Sequence, residues 1–261
     1  MLGKLMKHEW KAVAKILLVL HLALLAMAGV GRMLLSIEIL KEKENLWGAL
    51  LLVYMFSVFC VSVGSQIFLA VRFYKNMYTD EGYLTFTLPV KPWEHIFAKV
   101  SVASLWILID IIVIIASILI LVMNKEVMAD FVPAWNEMVS EIRANNVMGV
   151  SEVILTIVVL LLSLVSVPLL YYVSISIGQL FHSHKLLASM VTYFIIANVI
   201  KIISAVGSSV YMLSSVDKLI ATDGMGFYSD MLLASVIGLA IMCVGFWMVI
   251  QYIMSRRLNL E

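Results

Sequence analysis

Cysteine is scarce in this chain. The two present, Cys60 and Cys243, both sit inside apolar runs, which leaves no disulfide framework and no zinc-type spacing and reads them as small buried hydrophobes. Charge is scarce too. Only 13% of the residues are Asp, Glu, Lys or Arg, against about 25% in a soluble domain. Basic and acidic residues nearly balance at a net charge of +1, so no nucleic-acid partner is expected. No G-x-x-x-x-G-K-[ST] occurs, so the chain has no P-loop to cradle nucleotide phosphates. Nor is there an H-E-x-x-H: His8-Glu9 has no second histidine at the right distance, and Asp110 has no aspartate mate. Proteolysis within a membrane therefore lacks its catalytic groups, and no catalytic residue and no metal are assigned.

What the 261 residues do have is apolar length: 63% of them are hydrophobic, more than a soluble core can absorb. A bilayer core needs about 20 mostly apolar residues per helix. Six segments qualify, at approximately 16–36, 46–71, 98–123, 151–181, 186–206 and 229–254. The expected class is an all-α membrane protein. The fourth span is longer than needed, so it should tilt, kink near Pro168 or project.

An even number of spans puts both termini on one side. With the N-terminus inside, the inner segments hold Lys4, Lys7, Lys11, Lys15, Arg72, Lys75, Lys91, Lys99, Lys185, Arg256 and Arg257. The outer ones hold Arg32, Lys41, Lys43, Lys125, Arg143 and Lys218, and Lys201 falls within the fifth span. The excess places both termini in the cytoplasm. Residues 1–15 carry Leu2, Leu5, Met6, Trp10 and Val13 at helical spacing beside a lysine stripe, which predicts an amphipathic helix lying on the inner leaflet of the bilayer. Residues 16–261 then form a single transmembrane domain with outer loops at 124–150 and 207–228. In the first of these, residues 133–146 begin with a proline and predict a short surface helix.

The inner loop, 72–97, contains TDEGYLTFTLPVKPWEH, an aromatic and leucine-bearing stretch kept in water. Asp80 is a plausible N-cap, Pro89 stops any helix at or before Leu88, and Pro92 with Glu94 restarts one. Between these brackets the pattern fits either a strand or one to two helical turns. Either way it offers Tyr83, Leu84, Phe86 and Leu88 to something. One reading tucks them against the protein's own helices or the headgroups; the other makes them a docking knob.

RFYKNMYTDEGYLTFTLPVKPWEHIFAKV, residues 72–100, resembles the segment after the second span of ABC-2 type permeases, with its basic-aromatic start, DEGYL, TLP and a lysine entering the third span. The resemblance implies a six-helix permease subunit of an ATP-binding cassette transporter in a cell membrane, of the bacterial plasma-membrane kind. Its partners would be a separate nucleotide-binding ATPase subunit, which binds ATP and Mg, and a second permease subunit, identical or related. It further implies that Asp80, Glu81, Gly82, Tyr83, Leu84, Phe86, Leu88 and Pro89 form a coupling helix that docks on the ATPase, and that the complex exports its cargo. An ion-coupled secondary carrier and an accessory membrane subunit are the competing classes.

Within the spans, Asp110 near the middle of the third is costly in lipid and should face protein or a cavity. Lys201 in the fifth, or a hydroxyl, is its expected contact, and a substrate or gating role is the functional alternative. Gln66, Gln179 and Asn198 read as hydrogen-bond partners between helices. Uniformly apolar helices favour a hydrophobic or amphipathic cargo.

Overall fold

The computed structural model describes residues 1–37, 44–87, 89–144, 149–214 and 224–256, and among them the regular structure is all helical. In chain order the helices are α1 (Leu2–Leu35), α2 (Glu44–Tyr78), α3 (Asp80–Thr87), α4 (Pro92–Val122), α5 (Lys125–Ala144), α6 (Val150–Gly178), α7 (Lys185–Ser214) and α8 (Gly224–Arg256). Six of them, all but α3 and α5, are long and apolar enough to cross a membrane, which makes this a multi-pass membrane protein. The shortest of the six has 29 residues and the longest 35. At 1.5 Å per residue these reach about 43 to 52 Å, so every one extends beyond a hydrocarbon core of about 30 Å.

Three expectations need correcting. The chain does not bend after residue 15: α1 runs unbroken to Leu35. Ala12 and Ala14 favour continuation, and the apolar stripe of the first turns is used inside the protein. Met6 and Trp10 pack against the core, Val13 and Leu17 are buried in it, and Lys4, Lys7, Lys11 and Lys15 stay exposed. The surface helix expected from Pro133 starts instead at Lys125, because Asn124 Oδ1 accepts the Val127 N–H at 2.6 Å and caps it early. Pro133 then sits inside α5. The fifth span continues past 206 to Ser214, while residues 215–223 of the expected outer loop lie outside the described residues.

The six long helices form two three-helix units. In one, α1, α2 and α4 pack on each other; in the other, α6 packs on both α7 and α8. Val13, Met77, Ile96, Val173 and Met254 share one core cluster, so the start of α1, the end of α2, the start of α4 and the ends of α6 and α8 meet at one end of the bundle, called here the near end. The two units join mainly there, by Phe73 stacked on Tyr172 at 3.9 Å, Tyr78 Oη donating to Ser176 Oγ at 2.7 Å, and Phe97 edge-on to Trp247 at 6.3 Å. The second cluster, toward the far end, is built from Leu24, Ala28, Leu35, Tyr54, Val61 and Leu121, all of α1, α2 and α4.

The turn between α6 and α7 is tight. His184 carries it with a φ of 54°, a left-handed conformation. Gly178 lies so close to α7 that a Cβ there would clash with Ser189 Oγ and meet its backbone N at 2.6 Å. Only a residue without a side chain closes this hairpin.

Candidate functional site

At the near end, the short link between α2 and α4 is itself mostly helix. Thr79 turns the chain, its Oγ1 donating to the Lys75 carbonyl at 2.6 Å, and α3 begins at Asp80, so Asp80 opens the helix rather than capping it. Asp80 and Glu81 then occupy the first turn, where negative charge suits the helix dipole. Gly82 is buried, its N–H donating to the Thr79 carbonyl at 2.7 Å, while Tyr83 keeps half of its surface exposed. Leu84 and Phe86 take their places in the same helix; Leu88 lies outside the described residues, and Pro89 follows exposed. The helix ends at Thr87, so of the two local structures left open by the pattern the chain adopts two helical turns. Pro92 in the first turn of α4, with Glu94 Oε2 accepting the Lys91 N–H at 3.0 Å, restarts the next span.

Above α3 lies a connected polar cluster. Glu9 of α1 accepts both Arg72 Nε at 2.8 Å and Arg72 Nη2 at 3.1 Å, a forked pair with α2. Lys99 of α4 donates to Glu9 Oε1 and to Asn76 Oδ1, each at 3.1 Å. Asn76 Nδ2 in turn donates to Glu81 Oε2 at 2.6 Å, which carries the network into α3. Two cations share one carboxylate, and the Lys99 side chain is only 7% exposed. Glu9, Arg72, Asn76 and Lys99, together with Leu5, His8, Thr85 and His95, line a cavity of about 340 Å³. Every helix of the first unit thus has a polar hand on α3 or on its neighbours.

A second polar layer lies deeper. Asp110 Oδ1 is 2.8 Å from His21 Nε2, and Ser65 Oγ donates to Asp110 Oδ2 at 3.0 Å. Both ionisable partners are buried, His21 at 3% and Asp110 at 4% exposure, and the ring of Trp106 stacks on the imidazole at 6.0 Å. Asp110 follows Lys99 by eleven residues, about 16 Å of helix, which is half the thickness of a bilayer core. A third tie, Tyr54 Oη to Ser117 Oγ at 2.7 Å, joins α2 and α4 farther on.

The sequence placed Asp110 correctly against protein and against a hydroxyl, but Lys201 is not its partner. Lys201 is exposed on α7, a helix that packs on α6, whereas Asp110 points into α1 and α2. The partner the sequence reading missed is His21. Its signal was there: His21 falls on the buried stripe of Val13, Leu17, Leu24 and Ala28. Of the amides, Gln66 accepts a short hydrogen bond from Tyr171 between α2 and α6, but Asn198 donates to Phe194 in its own helix at 2.7 Å.

Comparison of the chain with family models, with characterised proteins and with solved structures finds no match. The functional reading therefore rests on the residues themselves.

Proposed function

We propose that this chain is the transmembrane permease subunit of an ATP-binding cassette transporter, an exporter, with α3 as its coupling helix. The observation that carries the reading is α3 itself: an eight-residue helix, exposed at Tyr83, hung between two spans at the near end. Its sequence resembles the coupling segment of ABC-2 permeases. In this reading the near end is cytoplasmic, and an ATPase subunit covers Tyr83, Leu84, Phe86 and Leu88. ATP and Mg are bound by that partner. Its closure pushes on α3, and the push enters the bundle through Glu81, Asn76 and Lys99, favouring one of two helix packings. A second permease subunit completes the path. Gly238 and Gly245 of α8 suit such a neighbour, since a Cβ at either would meet nothing within 4 Å in this chain.

The test is purification of the tagged protein from its native host in mild detergent, with assay for a co-purifying, vanadate-sensitive ATPase. Leu84→Asp and Phe86→Asp are run in parallel. An ATPase present with the native chain and lost with both variants supports the reading; a well-folded preparation without ATPase removes it. A second reading, an ion-coupled carrier, draws on the buried His21–Asp110 pair at mid-depth, where proton-coupled carriers place ionisable groups.

A further inference from the structure

The fifth membrane-crossing helix, α7, has two unlike faces in its outer two-thirds. Val199, Ile202, Ile203, Val206 and Val210 form one. Asn198, Lys201, Ser204 and Ser208, at spacings of three, three and four, form the other. All four of these polar residues are exposed in the chain. Lys201 lies sixteen residues into α7, about 24 Å along a helix of 30 residues, and so near its middle. Among the described residues it makes no hydrogen bond or ion pair. A lysine turned to acyl chains at that depth is costly, so this face meets something polar.

A second copy of the chain does not answer that need. The one carboxylate of the described residues near mid-depth is Asp110, and it is enclosed by His21 and Ser65. No anion opposite Lys201 comes from the described residues of this chain or of an identical copy, and a ligand can supply one.

The same face of α7 continues toward the near end as an apolar groove. Met190, Tyr193 and Phe194 line one wall; Ile67 and Val71 of α2 and Tyr171 of α6 line the others, around a cavity of about 220 Å³. Tyr171 and Tyr193 stack there at 5.4 Å. Met190 and Lys201 are eleven residues apart, about 16 Å of helix rise, and lie on nearly the same line along α7.

We propose that the groove between α2, α6 and α7, with Lys201 above it, is a binding site for an amphiphile with an anionic head. The apolar body lies in the groove against Phe194 and Tyr193. The carboxylate or phosphate of the head meets the Lys201 ammonium, with Asn198 and Ser204 beside it. This deepens the permease reading and rests on it for the ligand being cargo; binding itself needs no ATPase.

The test is direct binding in phosphatidylcholine nanodiscs, without ATP or any partner, so its failure is separate from failure of the ATPase test. The probes are 11-(dansylamino)undecanoate and its uncharged methyl ester. The native chain should bind the acid at least about tenfold more tightly than the ester. Lys201→Met should abolish that preference, and Lys201→Arg should keep it. Lys201 is exposed, so neither substitution touches the core. Competition by phosphatidylglycerol then assigns the site to a membrane lipid headgroup, and retention of the probe assigns it to a transported amphiphile; both support an anion site. Equal binding of the two probes, or an unchanged preference in Lys201→Met, overturns the proposal. So does an interchain disulfide through Ser204→Cys in a background lacking Cys60 and Cys243, which would put this face against a second copy.

Discussion

Nε2 of His21 lies 2.8 Å from Oδ1 of Asp110, and the two side chains hold α1 to α4 at the depth where neither could stand alone. Removing one partner of a buried pair is far worse than removing both, because the survivor keeps its desolvation cost without its contact. Asp110→Ala should therefore lower stability by about 3 to 5 kcal/mol, and the double substitution His21→Leu with Asp110→Leu should recover most of it. Asp110→Asn keeps an acceptor for Ser65 Oγ and should fall between. Thermal unfolding in detergent, followed by fluorescence-detected gel filtration, gives the ranking. Equal losses in the single and double variants would contradict a coupled pair.

The near-end cluster makes an asymmetric prediction. Among the described residues Glu9 is the one carboxylate paired with both Arg72 and Lys99, so Glu9→Gln leaves two like charges together. Arg72→Gln leaves Lys99 and Glu9 still paired. The expected loss is about 2 kcal/mol for Glu9→Gln and clearly less for Arg72→Gln. Adding Lys99→Met to Glu9→Gln should restore part of the loss. The same thermal assay reads all three.

Gly178 should separate cleanly from Gly238 and Gly245 of α8. A Cβ at Gly178 meets not only Ser189 Oγ but also its backbone N at 2.6 Å and its Cα at 2.7 Å. Gly178→Ala should therefore block closure of the α6–α7 hairpin and abolish monodisperse expression, and Ser189→Ala should not rescue it. Gly238→Ala and Gly245→Ala meet open space and should express normally. If they instead change only the oligomeric state, the open face of α8 is a contact with another subunit.

Asn76 is the link whose loss should separate docking from movement. It accepts from Lys99 and donates to Glu81, and it lies outside α3. If the permease reading holds, Asn76→Leu should leave the ATPase co-purifying while ATP-driven transport in proteoliposomes falls by about tenfold. Loss of the ATPase with this variant would make Asn76 a docking or folding residue instead.

The spans were legible because a run of apolar residues long enough to cross a bilayer has few other uses. So was the helix restart at Pro92, where proline and Glu94 act through local geometry alone. What stayed hidden was pairing. Glu9 to His21 is twelve residues and Lys99 to Asp110 is eleven, a matched spacing that becomes visible only once α1 and α4 are known to run parallel and side by side. Lys201 was matched to Asp110 because depth can be counted along a sequence, while azimuth around a bundle cannot. The reach of α1 was misjudged for a related reason: an amphipathic stripe looks the same whether membrane or protein covers it.

The three polar ties among α1, α2 and α4 stand at three heights: Glu9 with Arg72 and Lys99, His21 with Ser65 and Asp110, and Tyr54 with Ser117. Their mechanical meaning is that this half of the protein is a girder. Sliding one of its helices past another by a turn, about 5.4 Å, would misalign several pairs at once, so ratcheting inside it is closed off. In the permease reading motion falls to the other half, which the girder grips by near-end contacts such as Phe73 on Tyr172 and, deeper, by the Tyr171 hydrogen bond to Gln66. If the permease reading holds, such a chain is expected to swing rather than to slide, with the widest arc at the end farthest from that grip.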